Sequence, residues 1–196
     1  MHCNYRGVVL CSLTSYTVSV ETSELHDHSL RINNVDPGAS WLIPVSSQLG
    51  GGVIVVGETS LVYAGGTKPA TDARGAGSSS ASGAQITETV TKNTFLAWGV
   101  IDETRVLLAD FHGSLHLLTV VHAGGGCVAG LELRCLGDIS FASSISYLDH
   151  GKVFIGSQVA NSQIVQLLDE EAGDPPSLVQ VCCCPVCCHM RAGAVA

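Results

Sequence analysis

Residues 104–121, TRVLLADFHGSLHLLTVV, carry the pattern on which the fold turns. Val106, Leu107, Leu108 and Ala109 are apolar at consecutive positions, as expected of a strand covered on both faces rather than one wetted on alternate side chains. Asp110-Phe111-His112-Gly113 then reads as a hairpin turn, with Gly113 supplying the positive φ a tight connection needs. Beyond it the pattern changes to alternation, Leu115 and Leu117 against His116, with Leu118 as the exception. Upstream, FLAWGVI at 95–101 supplies a preceding apolar strand, and LELRCL at 131–136 a weaker following one.

The same grouping recurs on both sides. Val53-Ile54-Val55-Val56-Gly57 and Val153-Phe154-Ile155-Gly156-Ser157 match the strand that begins at Val106, so the starts lie 53 and 47 residues apart. WLIPV at 41 and SISYL at 144 precede these strands; SLVYA at 60 and SQIVQL at 162 follow them, and SLVQV at 177–181 closes the third unit. A further strand is read at 15–20, and no window of ten or more residues has a helical stripe. Four short strands every ~40 to 50 residues is the period of a propeller blade. The expected fold is therefore all-β, a partial β-propeller of about three to four four-stranded, WD40-like blades, with an ordinary β-sandwich as the competing architecture.

Composition narrows the function classes. The chain has 196 residues, 9 Lys+Arg against 17 Asp+Glu, a net charge of −8 and 46% hydrophobic residues. No two basic residues are adjacent, so consecutive phosphates have no cluster to grip them, which argues against direct nucleic-acid contact. The N-terminus lacks a secretory pattern and no apolar stretch approaches the ~18 residues of a membrane span, so an intracellular protein without membrane contact is expected. Residues 65–84, GGTKPATDARGAGSSSASGA, contain no large apolar side chain and read as a flexible loop. Their glycines do not complete a phosphate-binding motif.

Catalytic and metal chemistry is sparse. There is no nucleophile elbow, no HExxH pair and no kinase signature, so no catalytic residue and no cofactor is expected. The acidic run Asp169, Glu170, Glu171 and Asp174 and the triplet His26-Asp27-His28 read as solvated loops. Of nine cysteines, Cys3, Cys11, Cys127 and Cys135 show no framework spacing, while five fall at 182–188, so free thiols are expected rather than a disulfide fold. Cys184-Pro185-Val186-Cys187 has zinc-ligand spacing, and Cys188 or His189 could add a ligand. The second half of such a site would have to come from Cys135 or Cys127, far upstream, so these four are weak metal candidates and 182–196 reads as a Cys-rich tail outside the native fold.

With the blades laid out, the sequence resembles the N-terminal propeller of the damaged-DNA-binding protein 1 family, in the superfamily of the cleavage and polyadenylation factor A subunit. The likeness rests on SYTVSV at 15–20, GGGVIVVGETSLVYAGG at 50–66, LLADFHGSLHLLTV at 107–120 and, above all, LGDISFASSISYLDHGKVFIGSQVANSQIVQL at 136–167. In that last run it is carried by Leu136, Gly137, Asp138, Tyr147, Leu148, Asp149, Gly151, Gly156, Ser157, Asn161, Ser162 and Gln163. The resemblance covers 15–181; 1–14 is an unmatched segment. It implies a non-catalytic adaptor of cullin-4 RING ubiquitin ligases, linked to nucleotide-excision repair and protein ubiquitination, nuclear and also cytoplasmic. Its partners would be exchangeable substrate receptors, with contact residues left unassigned. It also implies that this chain is only about half of one propeller ring. The alternative on the same fold is a nucleic-acid-binding subunit of a pre-mRNA cleavage/polyadenylation or splicing complex.

Overall fold

The structure is a computed structural model that describes residues 11–65, 85–123, 127–168 and 178–181; of 27–29 and 178–181 only the backbone is described. Among the described residues there is no α-helix, and the one helical turn is a 3-10 segment, Ser47–Leu49. Fourteen strands among the described residues form one two-stranded and three four-stranded sheets.

The chain divides into two compact units. Among the described residues, the first comprises 11–65, 85–92, 122–123 and 127–130, the second 93–121, 131–168 and 178–181. In the first, β1 (Cys11–Ser19) and β2 (Glu24–Val35) make an antiparallel ribbon. Its Ile32 and Val35 pack on Val55, Val62 and Ala64 of a sheet ordered β3 (Trp41–Pro44), β4 (Val53–Val56), β5 (Ser60–Ala64) and β6 (Gln85–Thr89). Two of these strands go beyond the sequence reading. His26-Asp27-His28 lies inside β2 and not in a loop, and the first sheet has its own fourth strand, β6. Only Gly65 of the 65–84 segment is described; the rest lies outside the described residues.

The second unit holds two sheets. One is ordered β7 (Phe95–Val100), β8 (Arg105–Asp110), β9 (Ser114–Ala123), β10 (Cys127–Asp138), the other β11 (Ser144–Tyr147), β12 (Lys152–Gly156), β13 (Gln163–Leu167), β14 (Leu178–Val181). Each is a meander in which every strand pairs with the next, the wiring of a propeller blade. Leu107, Ala109 and Leu115 from one sheet form a common core with Ile145, Val153, Ile155 and Val165 from the other.

Burial along the second strands separates a blade from a half-wet sheet. In β4 three consecutive residues are buried, Ile54 to Val56, and in β8 five, Val106 to Asp110. Successive side chains point to opposite faces, so both faces of these strands are covered. This also explains Leu118, which broke the alternation expected of β9: it pairs with Val106 on the face opposite Leu115 and is itself buried. In β12 the pattern differs, since Val153 and Ile155 are buried while Phe154 between them is 37% exposed.

Close approach of the first strands of the two sheets depends on a glycine. A Cβ on Gly99 of β7 would sit 2.9 Å from both the Cγ2 and the carbonyl oxygen of Ile145 in β11. Gly99 has no left-handed φ to explain it, so the requirement is steric. Gly99→Val is expected to lower the unfolding free energy by about 2 kcal/mol through overpacking. Urea unfolding followed by tryptophan fluorescence in a Trp41→Phe background, where Trp98, one residue away in β7, is the sole emitter, measures this.

Candidate functional site

The end of the second unit where β8 turns into β9 presents three segments together: the turn 111–113, the connection 139–143 and the turn 157–162. Backbone bonds tie them, Ile139 N–H to the Gly113 carbonyl at 2.7 Å and Ser143 N–H to the Gly156 carbonyl at 2.7 Å. The first turn is organised by Asp110, the last residue of β8. Its Oδ1 accepts from the backbone N–H of His112 (2.9 Å) and of Ser114 (2.8 Å). Its Oδ2 accepts from Asn93 Nδ2 (2.8 Å) and lies 2.8 Å from His116 Nε2. The carboxylate is 3% exposed and so fully partnered, as a buried charge must be. Burial pushes its pKa up, but the bonds from Asn93, His116 and the Ser114 amide and the charge of His116 outweigh that and hold it below the ordinary 3.8.

The other turns use different chemistry for the same purpose. At 157–162, Ser143 Oγ accepts from Gln158 N–H, Ser162 Oγ from Ser157 N–H and Ser157 Oγ from Ala160 N–H. Buried Gln163 accepts from Ser140 Oγ at 3.0 Å. In the first unit, Asp36 accepts from Gly38 N–H (2.8 Å) and from both the N–H and the Oγ1 of Thr59 (2.7 Å each), pinning the turn between β4 and β5. Its pKa is raised by burial and lowered more by these bonds, with a net downward shift. Gly57 is needed there because a Cβ would sit 2.6 Å from Asp36 Cβ.

These pinned turns carry exposed apolar side chains. Phe111 is 58% exposed and stands edge-on to Phe141 at 5.8 Å between ring centroids; Val159 at the tip of the next turn is 75% exposed. Rigid backbone with protruding apolar side chains is what a protein-binding surface needs, because little conformational entropy remains to be lost on association.

The Asp110–His116 pair has the look of an acid–base dyad, yet its chemistry is structural. All four bonds of Asp110 hold the turn, His116 packs edge-on against Phe95 at 5.6 Å, and Ser114 meets the carboxylate through its backbone N–H. The pair is not among the candidates read from the sequence. A signal for it exists: position 110 falls on the same face as Leu108, and Leu108 pairs with His116 in the register. Of those candidates, His26 is exposed and 3.7 Å from Glu24 on the ribbon. Cys184, Cys187, Cys188 and His189 lie outside the described residues, as do Cys3 and the acidic run at 169–174. Cys11, Cys127 and Cys135 are free thiols, and among the described residues no three His, Cys, Asp or Glu side chains cluster as a metal site. No helix among the described residues is long and apolar enough to cross a membrane.

Sequentially wired four-stranded sheets, second strands covered on both faces in β4 and β8, and polar-pinned turns define a partial β-propeller. The chain belongs to the RSE1/DDB1/CPSF1 first beta-propeller family, whose model it matches over residues 5–182. It is similar to DNA damage-binding protein 1 of Oryza sativa subsp. japonica, with 37% identity over 155 residues that cover 78% of this chain and 13% of the rice protein. DNA damage-binding protein 1b of Arabidopsis thaliana is 36% identical over 155 residues, again 78% of this chain and 13% of the relative. The protein of the same name in Drosophila melanogaster is 31% identical over 172 residues, 85% of this chain and 14% of the relative. The chain thus spans about an eighth of the length of the curated relatives it matches.

Proposed function

We propose that the chain acts as a non-catalytic protein-interaction scaffold, part of the receptor-facing propeller of a cullin-4 RING ubiquitin ligase adaptor that serves DNA repair and protein turnover in the nucleus and also the cytoplasm. Family membership carries the reading: the relatives above bear the name DNA damage-binding protein 1. The turn end of the second unit supports it, since its carboxylate and several of its hydroxyls are engaged in holding backbone while Phe111 and Val159 protrude among exposed polar side chains such as His112, Gln158 and Asn161. The scattered basic residues favour protein over nucleic acid as the partner, and the shared name of these relatives favours this reading over the pre-mRNA-processing alternative.

Affinity capture of the tagged chain from nuclear extract, quantified by mass spectrometry against a Phe111→Ala/Val159→Asp variant, tests the proposal. Substrate receptors of cullin-4 ligases are expected with the parent chain and reduced about tenfold with the variant, as for loss of an apolar hot spot. Recovery of cleavage or splicing subunits instead, or of no receptor, would overturn it.

A further inference from the structure

At the opposite end of the second unit a cavity of about 650 Å³ opens between its two sheets, a volume within the range of sites that bind small molecules or peptide side chains. Its apolar wall includes Leu117, Leu136 and Leu167, which belong to or pack against the core. Its polar wall includes Arg105, Arg134 and His150, with Glu132 as the one acidic lining residue among the described residues. Two of the nine basic residues of a chain with net charge −8 thus share one concave site.

Two of these groups are set in place by the backbone around them. Arg105 Nε donates to Asp102 Oδ2 at 2.7 Å, while Asp102 Oδ1 accepts from Thr104 N–H, Thr104 Oγ1 and Arg105 N–H. The guanidinium is thereby oriented, and its two terminal nitrogens make no hydrogen bond among the described residues. His150 sits in the turn between β11 and β12, where Asp149 (φ 75°), His150 (φ 49°) and Gly151 (φ 73°) are all left-handed. Two non-glycine residues in that region cost about 1 kcal/mol or more each. Tyr147 Oη, accepting from Gly151 N–H, and Gln166 Nε2, donating to the His150 carbonyl, hold the turn in this conformation. Strain maintained by neighbouring bonds at the rim of a cavity points to a site rather than a packing defect.

We propose that this cavity binds a short acidic–apolar segment of a protein partner, an aliphatic or aromatic side chain on Leu117, Leu136 and Leu167 with an adjacent carboxylate on the terminal nitrogens of Arg105. A planar guanidinium with its Nε already engaged offers its end-on pair of N–H groups to such a carboxylate. This surface is separate from the turn end discussed above, so the two readings can fail independently.

The test is to pan the purified full chain against a phage-displayed random dodecapeptide library and measure the enriched peptide by fluorescence anisotropy. Enrichment of Asp or Glu next to Leu, Ile or Phe is expected, with affinity about tenfold weaker in Arg105→Gln and falling with ionic strength. Phe111→Ala, at the other end, should bind it unchanged. Arg105→Gln keeps the Asp102–Thr104 bonds of the turn and should fold; its far-UV dichroism and urea midpoint check this. Arg105→Lys, which keeps the charge but lacks the paired terminal N–H groups, is the second variant should Arg105→Gln not fold, and is expected to bind several-fold more weakly. Enriched peptides without an acidic residue, no enrichment at all, or equal binding to a folded Arg105→Gln would each overturn the proposal.

Discussion

Asp110→Ala is expected to lower the unfolding free energy of the second unit by about 3 kcal/mol, from loss of charged hydrogen bonds partly recovered by water at the turn. The substitution strips acceptors from two backbone N–H groups, an amide and an imidazole at once. Asp110→Asn keeps one oxygen for the His112 and Ser114 amides and should lose roughly half as much. The pH dependence follows from the direction of the shift. The folded pKa of Asp110 lies below the ordinary 3.8, so protonation disfavours the native state. Its contribution is complete above 3.8 and is lost as pH falls through the lower folded value. Asp36 and Asp102 shift the same way, so they add to the acid limb; for Asp102, burial opposes the bonds from Thr104 and Arg105 and is outweighed. Urea midpoints between neutral pH and the acid transition, read at Trp98 in a Trp41→Phe background, should show a shallower acid limb in Asp110→Asn than without that substitution. Equal limbs would mean that the carboxylate bonds do not stabilise the fold.

Leu107→Ala and Leu108→Ala should each cost about 3 to 4 kcal/mol, the range for emptying a buried leucine site. Both are 0% exposed although they point to opposite faces of β8. In a half-wet sheet one of the two would be nearly neutral. The matching pair in β12 should split: Val153→Ala costs about 1 to 2 kcal/mol, whereas Phe154→Ser costs well under what a core phenylalanine would, since Phe154 stands 37% exposed. Equal costs at 107 and 108 together with unequal costs at 153 and 154 distinguish two blades in different surroundings.

How much of this was legible in the sequence differs strand by strand. The first three strands of each four-stranded sheet are apolar runs cut by Gly, Asp or Ser turns, and hydrophobic pattern alone finds them. QITET of β6 and ELHDHSLRINNV of β2 could not be found that way. β6 is an outermost strand with four of its five residues exposed, so its polar composition is that of a loop. Its strand character comes from pairing with β5, Tyr63 against Ile86 and Val62 against Thr87, a long-range contact that no local window contains. The His-Asp-His triplet of β2 likewise takes its conformation from β1, where Thr17 pairs with His26 and Tyr16 with Asp27. Residues 147–151 lie between two apolar runs, but the left-handed Asp149 and His150 found there are not legible in the sequence, because their side chains permit that conformation without requiring it and the bonds from Tyr147 and Gln166 hold it. The cavity at Arg105 needs both sheets of the second unit and is invisible to any single repeat.

Amide hydrogen exchange read by mass spectrometry on the full chain tests the central claim, that these sheets are propeller blades in which β4 and β8 are covered on both faces. The amides of β4 and β8 should exchange most slowly of all described strands, and those of the edge strand β6 among the fastest. Exchange of β8 as fast as β6 would contradict the blade assignment.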